Sequence, residues 1–249
     1  MERKELFRAL VGSWNYGLNV NGSDKDYKVF LLPTFKDLYK GDVFSHDTIS
    51  EVEDLSYQDI RKLGKLLFKA NVNWLEILFS KEVVFNQLLT IEEAELINEI
   101  FDIKDDLATM NLSYLYDACI GMHIEKVKKL YHYSESCEYM KELYGYNVKE
   151  ALHAYRILHL LKRFADNGFK DFEKILVYET GTSDYEYMMK IRNGEISEEM
   201  MIRTLSGMKI YLEEEYKELY HSQSVREDIK LKLDEIIYEL VKLYIAKEN

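Results

Sequence analysis

The sequence contains one proline, Pro33, and two cysteines, Cys119 and Cys137, among 249 residues. So little proline leaves long helices uninterrupted, and the many Leu, Ile, Glu and Lys residues favour helix as well. Two cysteines are too few for a disulfide framework and lack metal-ligand spacing, which fits a reduced, cytoplasmic compartment. No apolar run reaches the roughly 20 residues that a membrane-spanning helix needs, so no membrane partner is expected. The opening MERKELFRALVG has neither the apolar region nor the cleavage site of a signal peptide. Cations are also in short supply: 33 Lys and Arg face 45 Asp and Glu, a formal net charge of −12. A field of that sign repels nucleic acid unless basic residues gather locally, but it does not oppose a nucleotide held through metal ions. Apolar residues are plentiful at 47%, enough for a sizeable core and against disorder. The 20 tyrosines read as half-buried amphipathic packing.

Along the chain the pattern changes character. Residues 2–10 read as a short helix or a helix running into a strand. Val29 to Pro33, VFLLP, reads as a buried strand closed by the proline. A strand is expected over about 47–54. Ser56 to Asp59, SYQD, looks like the cap of a helix that carries Ile60, Leu63, Leu66, Leu67 and Ala70 on one face. The run Trp74–Phe79 is read as a strand. From Thr90 onward the periodicity is helical, with helices at 90–101, 107–130, 136–144, 147–167, 197–220 and 224–247, and a loop at Gly181 to Asp184. The expected class is α+β: a small α/β core over residues 1–85 followed by a helical domain over 86–249. The cleft between the two is the default site. The charged helices after residue 198 read as closing the helical domain, with pairing to another subunit as the alternative.

The chemistry concentrates in VGSWNYGLNVNGSDKDYKVFLLP, Val11 to Pro33. Asp24 and Asp26 are two apart, so in an extended segment both carboxylates share a face. Two like charges that close are costly unless a cation lies between them. Hard carboxylate oxygens suit Mg²⁺ or Mn²⁺. Gly12 and Ser13 would offer free backbone N–H groups and a hydroxyl to a phosphate. Turn chemistry alone also explains each residue of NGSDKD.

The constellation is more specific than the pair. Gly12-Ser13, ten residues containing YGLN, then Ser23-Asp24-Lys25-Asp26 and an apolar strand resembles the DNA polymerase β-type nucleotidyltransferase superfamily. The form GSxxYGL…SDxD is most similar to its bacterial and phage group of predicted nucleotidyltransferases. Ile60 to Ser80, with its Asn-x-Asn and Leu-Glu-x-Leu, Gly145 to Phe169, and Ile191 to Ser197 also resemble segments of that group. The resemblance implies a site with two Mg²⁺ or Mn²⁺ ions that moves a nucleoside monophosphate from a nucleoside triphosphate, such as ATP, to an acceptor. The acceptor would be an RNA end, a protein hydroxyl or a small molecule. Asp24 and Asp26 would hold the ions, while Gly12, Ser13 and Ser23 would hold the nucleotide. A third carboxylate would come from a neighbouring strand. Glu51 and Glu53 share one face of that strand and Asp54 lies on the other. The superfamily's usual Asp argues for Asp54; the group resemblance and a face shared with Ile49 and Leu55 argue for Glu53, which is the reading taken.

In the helical half Lys149, His153 and Arg156 fall at i, i+4 and i+7, on one helical face. Pattern alone fits the solvated side of an amphipathic helix. The resemblance turns it into a nucleotide-binding face, which Lys162 and Arg163 would extend. Lys126 and Lys129 form a second, weaker basic run. Glu76, a carboxylate inside WLEIL, needs a partner if buried. The alternative to an enzyme is a catalytically inactive nucleotide- or partner-binding module on the same fold.

Overall fold

The computed structural model describes residues 3–50, 53–132 and 135–247. The first part of the chain runs β1 (Glu5–Val11), α1 (Gly12–Tyr16), β2 (Lys25–Leu31), α2 (Phe35–Lys40), β3 (Ser45–Ile49), β4 (Glu53–Asp59), α3 (Leu63–Phe68), α4 (Val72–Leu75) and β5 (Val83–Phe85). Helices follow: α5 (Ile91–Asp102), α6 (Lys104–Thr109), α7 (Leu112–Lys128), α8 (Glu135–Tyr144), α9 (Val148–Asp166), α10 (Phe172–Leu176), α11 (Ser183–Arg192), α12 (Glu198–Glu215), α13 (Lys217–His221) and α14 (Glu227–Lys247). The class is α+β, with one five-stranded mixed sheet in the order β3-β4-β2-β1-β5. Among the described residues β2 and β4 run parallel and the other strand pairs antiparallel. Among the described residues no helix is long and apolar enough to cross a membrane.

Two compact units emerge, one formed by the chain up to Asn111 together with the segment from Val225, the other by Leu112–Ser224. The division differs from a break after residue 85. Helices α5, α6 and α14 belong with the sheet, because α14 returns to pack on α3 and α5. Gly64 of α3 lies so near α14 that an added Cβ would stand 2.2 Å from the Asp234 carboxylate. Arg226 pairs with Asp106 at 2.6 Å at the start of α14.

The local structure differs from expectation at several segments. Residues 5–11 form a strand throughout, where residues 2–10 read as a short helix or a helix running into a strand. As β1 lies between β2 and β5, Leu6, Phe7, Ala9, Leu10 and Val11 are all buried, and a strand covered on both faces loses the alternation that identifies one. Trp74–Phe79 is helical: α4 runs into a 3₁₀ turn over Glu76–Phe79, and Asn71 starts it by accepting the Asn73 N–H. Ser56–Asp59 belongs to β4, and the cap of the following turn is Asp59, whose carboxylate accepts the Arg61 N–H at 3.0 Å. The segment expected as one strand over 47–54 is instead the end of β3 and the start of β4. Helix α11, absent from the expected set, is capped by Thr182, which accepts the Tyr185 N–H.

One face of the sheet changes chemistry along its length. Phe7, Phe30 and Phe85 lie side by side on β1, β2 and β5, with Phe101 of α5 edge-on to Phe7 at 5.4 Å. Burying Phe7 and Phe30, both almost inaccessible, contributes about 1.5–3 kcal/mol each. Two and four residues earlier on β2, the same face carries Lys28 and Asp26. The aromatic end fixes the register, and the register places the polar end.

Immediately after β2, Thr34 and Asp37 form a capping box at the start of α2. Arg3 clamps the Asp37 carboxylate with two hydrogen bonds of 2.7 and 3.0 Å. Burial would raise this carboxyl, but the bonds from Thr34 and Arg3 outweigh it and hold the group below its ordinary value. Folded Asp37 therefore binds its proton less readily than unfolded Asp37. Its contribution is present above the unfolded carboxylate pKa of about 4 and is lost as pH falls through the lower folded value. Asp37→Asn should cost about 2–3 kcal/mol near neutral pH. In chemical denaturation repeated at decreasing pH, the gap between the two proteins should close from about pH 4 downward.

Candidate functional site

The parallel pairing of β2 with β4 sets Lys25 opposite Glu53, Asp26 opposite Asp54, Tyr27 opposite Leu55 and Lys28 opposite Ser56. Paired residues on neighbouring strands share a face, and alternate residues along a strand share a face. Asp26, Lys28, Asp54 and Ser56 thus lie on one side, with Lys25 and Glu53 on the other. Asp24 directly precedes β2 and is close enough to act on Asp26. The Asp26 carboxyl is raised first by burial, then by the charges of Asp54 and Asp24, with Lys28 opposing them. These three aspartates are the ones brought together.

Glu53 is not brought to that face. The reason is the turn that precedes β4. Face parity between Ile49 and Glu53 assumes one continuous strand, but the chain reverses between β3 and β4, so Ile49 pairs with Asp54 instead. Asp54 is also tied to the turn, accepting the Ser50 N–H at 3.2 Å. Glu51 lies outside the described residues.

Gly12 abuts the cluster at the end of β1, where Val11 pairs with Asp26. Its φ is +73°, and a Cβ there would stand 2.6 Å from Asp26 Oδ2. Both the backbone conformation and the approach of the carboxylate require glycine. The expected free N–H at Gly12 is not free: it donates to Glu76 Oε2 at 3.0 Å. Glu76 is 2% exposed and sits in the helical turn that sequence patterning reads as strand. Ser13 follows in α1, where its carbonyl accepts the N–H groups of Gly17 and Leu18. Ser23 is engaged in its own turn, its hydroxyl accepting the Val20 N–H and its carbonyl accepting the Trp14 indole.

Beside the aspartates lies a recess of about 240 Å³ lined by Asp26, Lys28, Asp47, Ile49, Asp54 and Ser56. Pockets that enclose a whole small ligand measure about 300–1,000 Å³, and this one falls below that range. Its cation, Lys28, stands 4.4 Å from the centre of the Trp74 ring. Burial lowers its pKa, against the pull of Glu76, Asp26 and Asp47. A polar chain extends from the recess: Gln58 donates to the Ser56 hydroxyl, which donates to Asp47 at 2.7 Å. Lys28 and Asp47 escape a motif-based reading, although the i+2 spacing of Lys28 from Asp26 is a visible signal.

Among the described residues no group of three or more His, Cys, Asp or Glu converges tightly enough to hold a metal ion as the side chains lie. The donor set nonetheless suits one. Asp24, Asp26 and Asp54 are hard oxygen donors, and the mutual repulsion that raises Asp26 is what a divalent ion would relieve. A reactive thiol is excluded at Cys119, where burial pushes the group up to about 12.

Within the helical unit, Lys149, His153 and Arg156 all lie on α9. Lys149 and His153 are exposed, but Arg156 is 2% exposed, which sets it behind the surface. Lys162 pairs with Asp166. Arg163 donates to the carbonyls of Ile175, Val177 and Lys174 and anchors the α10 region. Neither extends the basic face.

No model of a known protein family matches the chain, and no curated protein matches it either.

Two outcomes follow from the cluster. Asp26→Asn should raise the melting temperature of the ion-free protein near neutral pH, because it removes a half-buried like charge. The raised Asp26 carboxyl means this gain shrinks as pH falls and the wild-type group takes up its proton. Gly12→Ala should destabilise by about 1–3 kcal/mol through strain and overpacking, measured by urea denaturation.

Proposed function

We propose that the chain is a metal-dependent nucleotidyltransferase that moves a nucleoside monophosphate from a nucleoside triphosphate to an acceptor hydroxyl. The observation that carries this reading is the pairing of Asp26 with Asp54 across β2 and β4, with Asp24 alongside and Gly12 pressed against Asp26. It joins the Gly-Ser…Asp-x-Asp resemblance to a carboxylate on the neighbouring strand, and supports Asp54 over Glu53 as the third carboxylate of this reading.

Asp24, Asp26 and Asp54 would hold Mg²⁺ or Mn²⁺, which supplies charge neutralisation at the phosphates and lowers the pKa of a bound hydroxyl. Asp54 receives the proton of the attacking hydroxyl. The hydroxyl oxygen bonds to the α-phosphorus as the bond from that phosphorus to the bridging oxygen breaks. Pyrophosphate leaves with the electron pair. Lys28, on the same face, offsets negative charge in the recess. Such a transfer asks the protein mainly for alignment and charge neutralisation. Gly12 lets Asp26 approach the chain closely, and Glu76 fixes the Gly12 backbone.

One observation favours a second reading, a binding module without turnover. The Gly12 N–H that the resemblance offers to a phosphate is taken by Glu76. Incubation with labelled nucleoside triphosphates, Mg²⁺ or Mn²⁺ and a cell extract separates the two. The transferase reading expects release of pyrophosphate and labelling of an acceptor. Asp54→Asn should lower the rate by at least about 100-fold, since even outer partners of a metal ligand cost about 10–100-fold. Glu53→Gln should stay within about twofold, as its side chain faces away. Turnover that survives Asp24→Asn with Asp26→Asn contradicts the site; no turnover with any triphosphate supports the module.

A further inference from the structure

Strand β3 ends the sheet beyond β4, and all five of its residues are exposed. Natural sheets blunt an open edge with proline, lysine or a bulge. The β3 sequence, SHDTI, holds neither residue, and it pairs with β4 residue for residue from Ser45 to Ile49. The register shows which backbone groups face outward. The Phe44 carbonyl accepts the Asp59 N–H at 3.1 Å, so Phe44 turns its backbone toward β4. In an antiparallel ladder alternate residues do the same. Ser45, Asp47 and Ile49 therefore turn their N–H and C=O groups to the open side. The side chains of Asp47 and Ile49 share the sheet face of Ser56 and Asp54, their partners on β4. Asp47, Thr48 and Ile49 also line the recess beside the aspartates. The open edge is thus continuous with the candidate site.

We propose that β3 takes an extended basic peptide as an added strand and holds a tyrosine of that peptide over Ile49, its hydroxyl toward Asp54. Main-chain hydrogen bonds to Ser45, Asp47 and Ile49 supply the affinity, and alternate side chains supply the selection. Ile49 is apolar yet 82% exposed, which suits an aromatic ring laid across it. Asp47 presents a carboxylate on the same face, so the residue opposite it is best a lysine or arginine. A chain of net charge −12 draws a basic segment as well. Reach selects the acceptor. An added strand lies two strand spacings, ~10 Å, from β4. A serine hydroxyl, carried on Cβ, falls short of Asp54 across that gap, whereas a tyrosine hydroxyl at the far end of its ring spans most of it. The phenol oxygen bonds to the α-phosphorus as the bond to the bridging oxygen breaks. Its proton passes to Asp54, and pyrophosphate leaves with the electron pair. Docking stands on the geometry of the edge; the choice of tyrosine as acceptor rests on the preceding reading.

The probe is a capped peptide of alternating Thr and Val that carries one Tyr and one Lys two positions apart. Fluorescence anisotropy reads its binding to the full chain without nucleotide. Binding should weaken by about tenfold or more when one alternate set of peptide nitrogens is N-methylated, and stay unchanged when the other set is. Asp47→Lys should weaken it by about two- to fivefold, and a peptide with Glu in place of Lys should recover that loss. Ile49→Lys, at an exposed position, should weaken it by at least as much. With labelled nucleoside triphosphate and Mn²⁺, label should reach the Tyr peptide and not its Ser counterpart. No binding, binding indifferent to N-methylation, or binding unchanged in both protein variants overturns the docking edge. Self-association of the chain that Ile49→Lys abolishes and the peptide does not displace overturns the occupant. Equal labelling of the Ser peptide overturns the choice of tyrosine. Peptide binding without transfer to any acceptor contradicts the transferase reading alone. Transfer to an acceptor from cell extract, with the peptide neither bound nor labelled, contradicts the docking edge alone.

Discussion

Asp26 and Asp54 face each other across two parallel strands, and much of the first unit is arranged around keeping them there. Two carboxylates in adjacent register positions repel, and burial strengthens the repulsion; both effects raise Asp26. Something else must hold the register. The stacked Phe7 and Phe30, with Phe85 and Phe101 around them, do so from the far end of the same sheet face. A slip of β2 by one residue would expose Phe30 and carry Asp26 to the opposite side. The hydrophobic energy of the aromatic end thus stabilises the electrostatic strain of the polar end.

The surroundings of the pair answer that strain in two ways. Lys28 supplies one positive charge, itself pulled by Glu76 and Asp47 and shielded by Trp74. Gly12 lets the Asp26 carboxylate lie against backbone rather than against a side chain. One ammonium does not neutralise Asp24, Asp26, Asp54 and Asp47 together. The remaining imbalance is the physical argument for a divalent ion, and it stands whether or not turnover follows.

How far the sequence alone reaches can be judged residue by residue. Asp24, Asp26 and Gly12 were legible because a short motif places them within one turn and one strand. The carboxylate that pairs with Asp26 was not, because face parity holds only along an unbroken strand. The reversal between Ile49 and Glu53 resets it, so counting through the turn selects Glu53 where the register selects Asp54. Glu76 was visible as a charge in an apolar run, but its partner lies 64 residues away. On α9 the spacing of Lys149, His153 and Arg156 was correct as helical geometry, yet spacing cannot tell an exposed Lys149 from a buried Arg156. The helices of the second half were readable at the level of long periodic segments; β1, covered on both faces, and the short Trp74–Phe79 run were not.

The claim that the Asp26–Asp54 register builds a cation site is tested most directly by thermal unfolding with and without Mn²⁺. Wild type should gain stability with added ion as expected for a ligand of the folded state. Glu53→Gln should gain as much, and Asp54→Asn should gain little or nothing. A shift that survives Asp54→Asn but is lost in Glu53→Gln, or no shift in the wild type, would contradict the account.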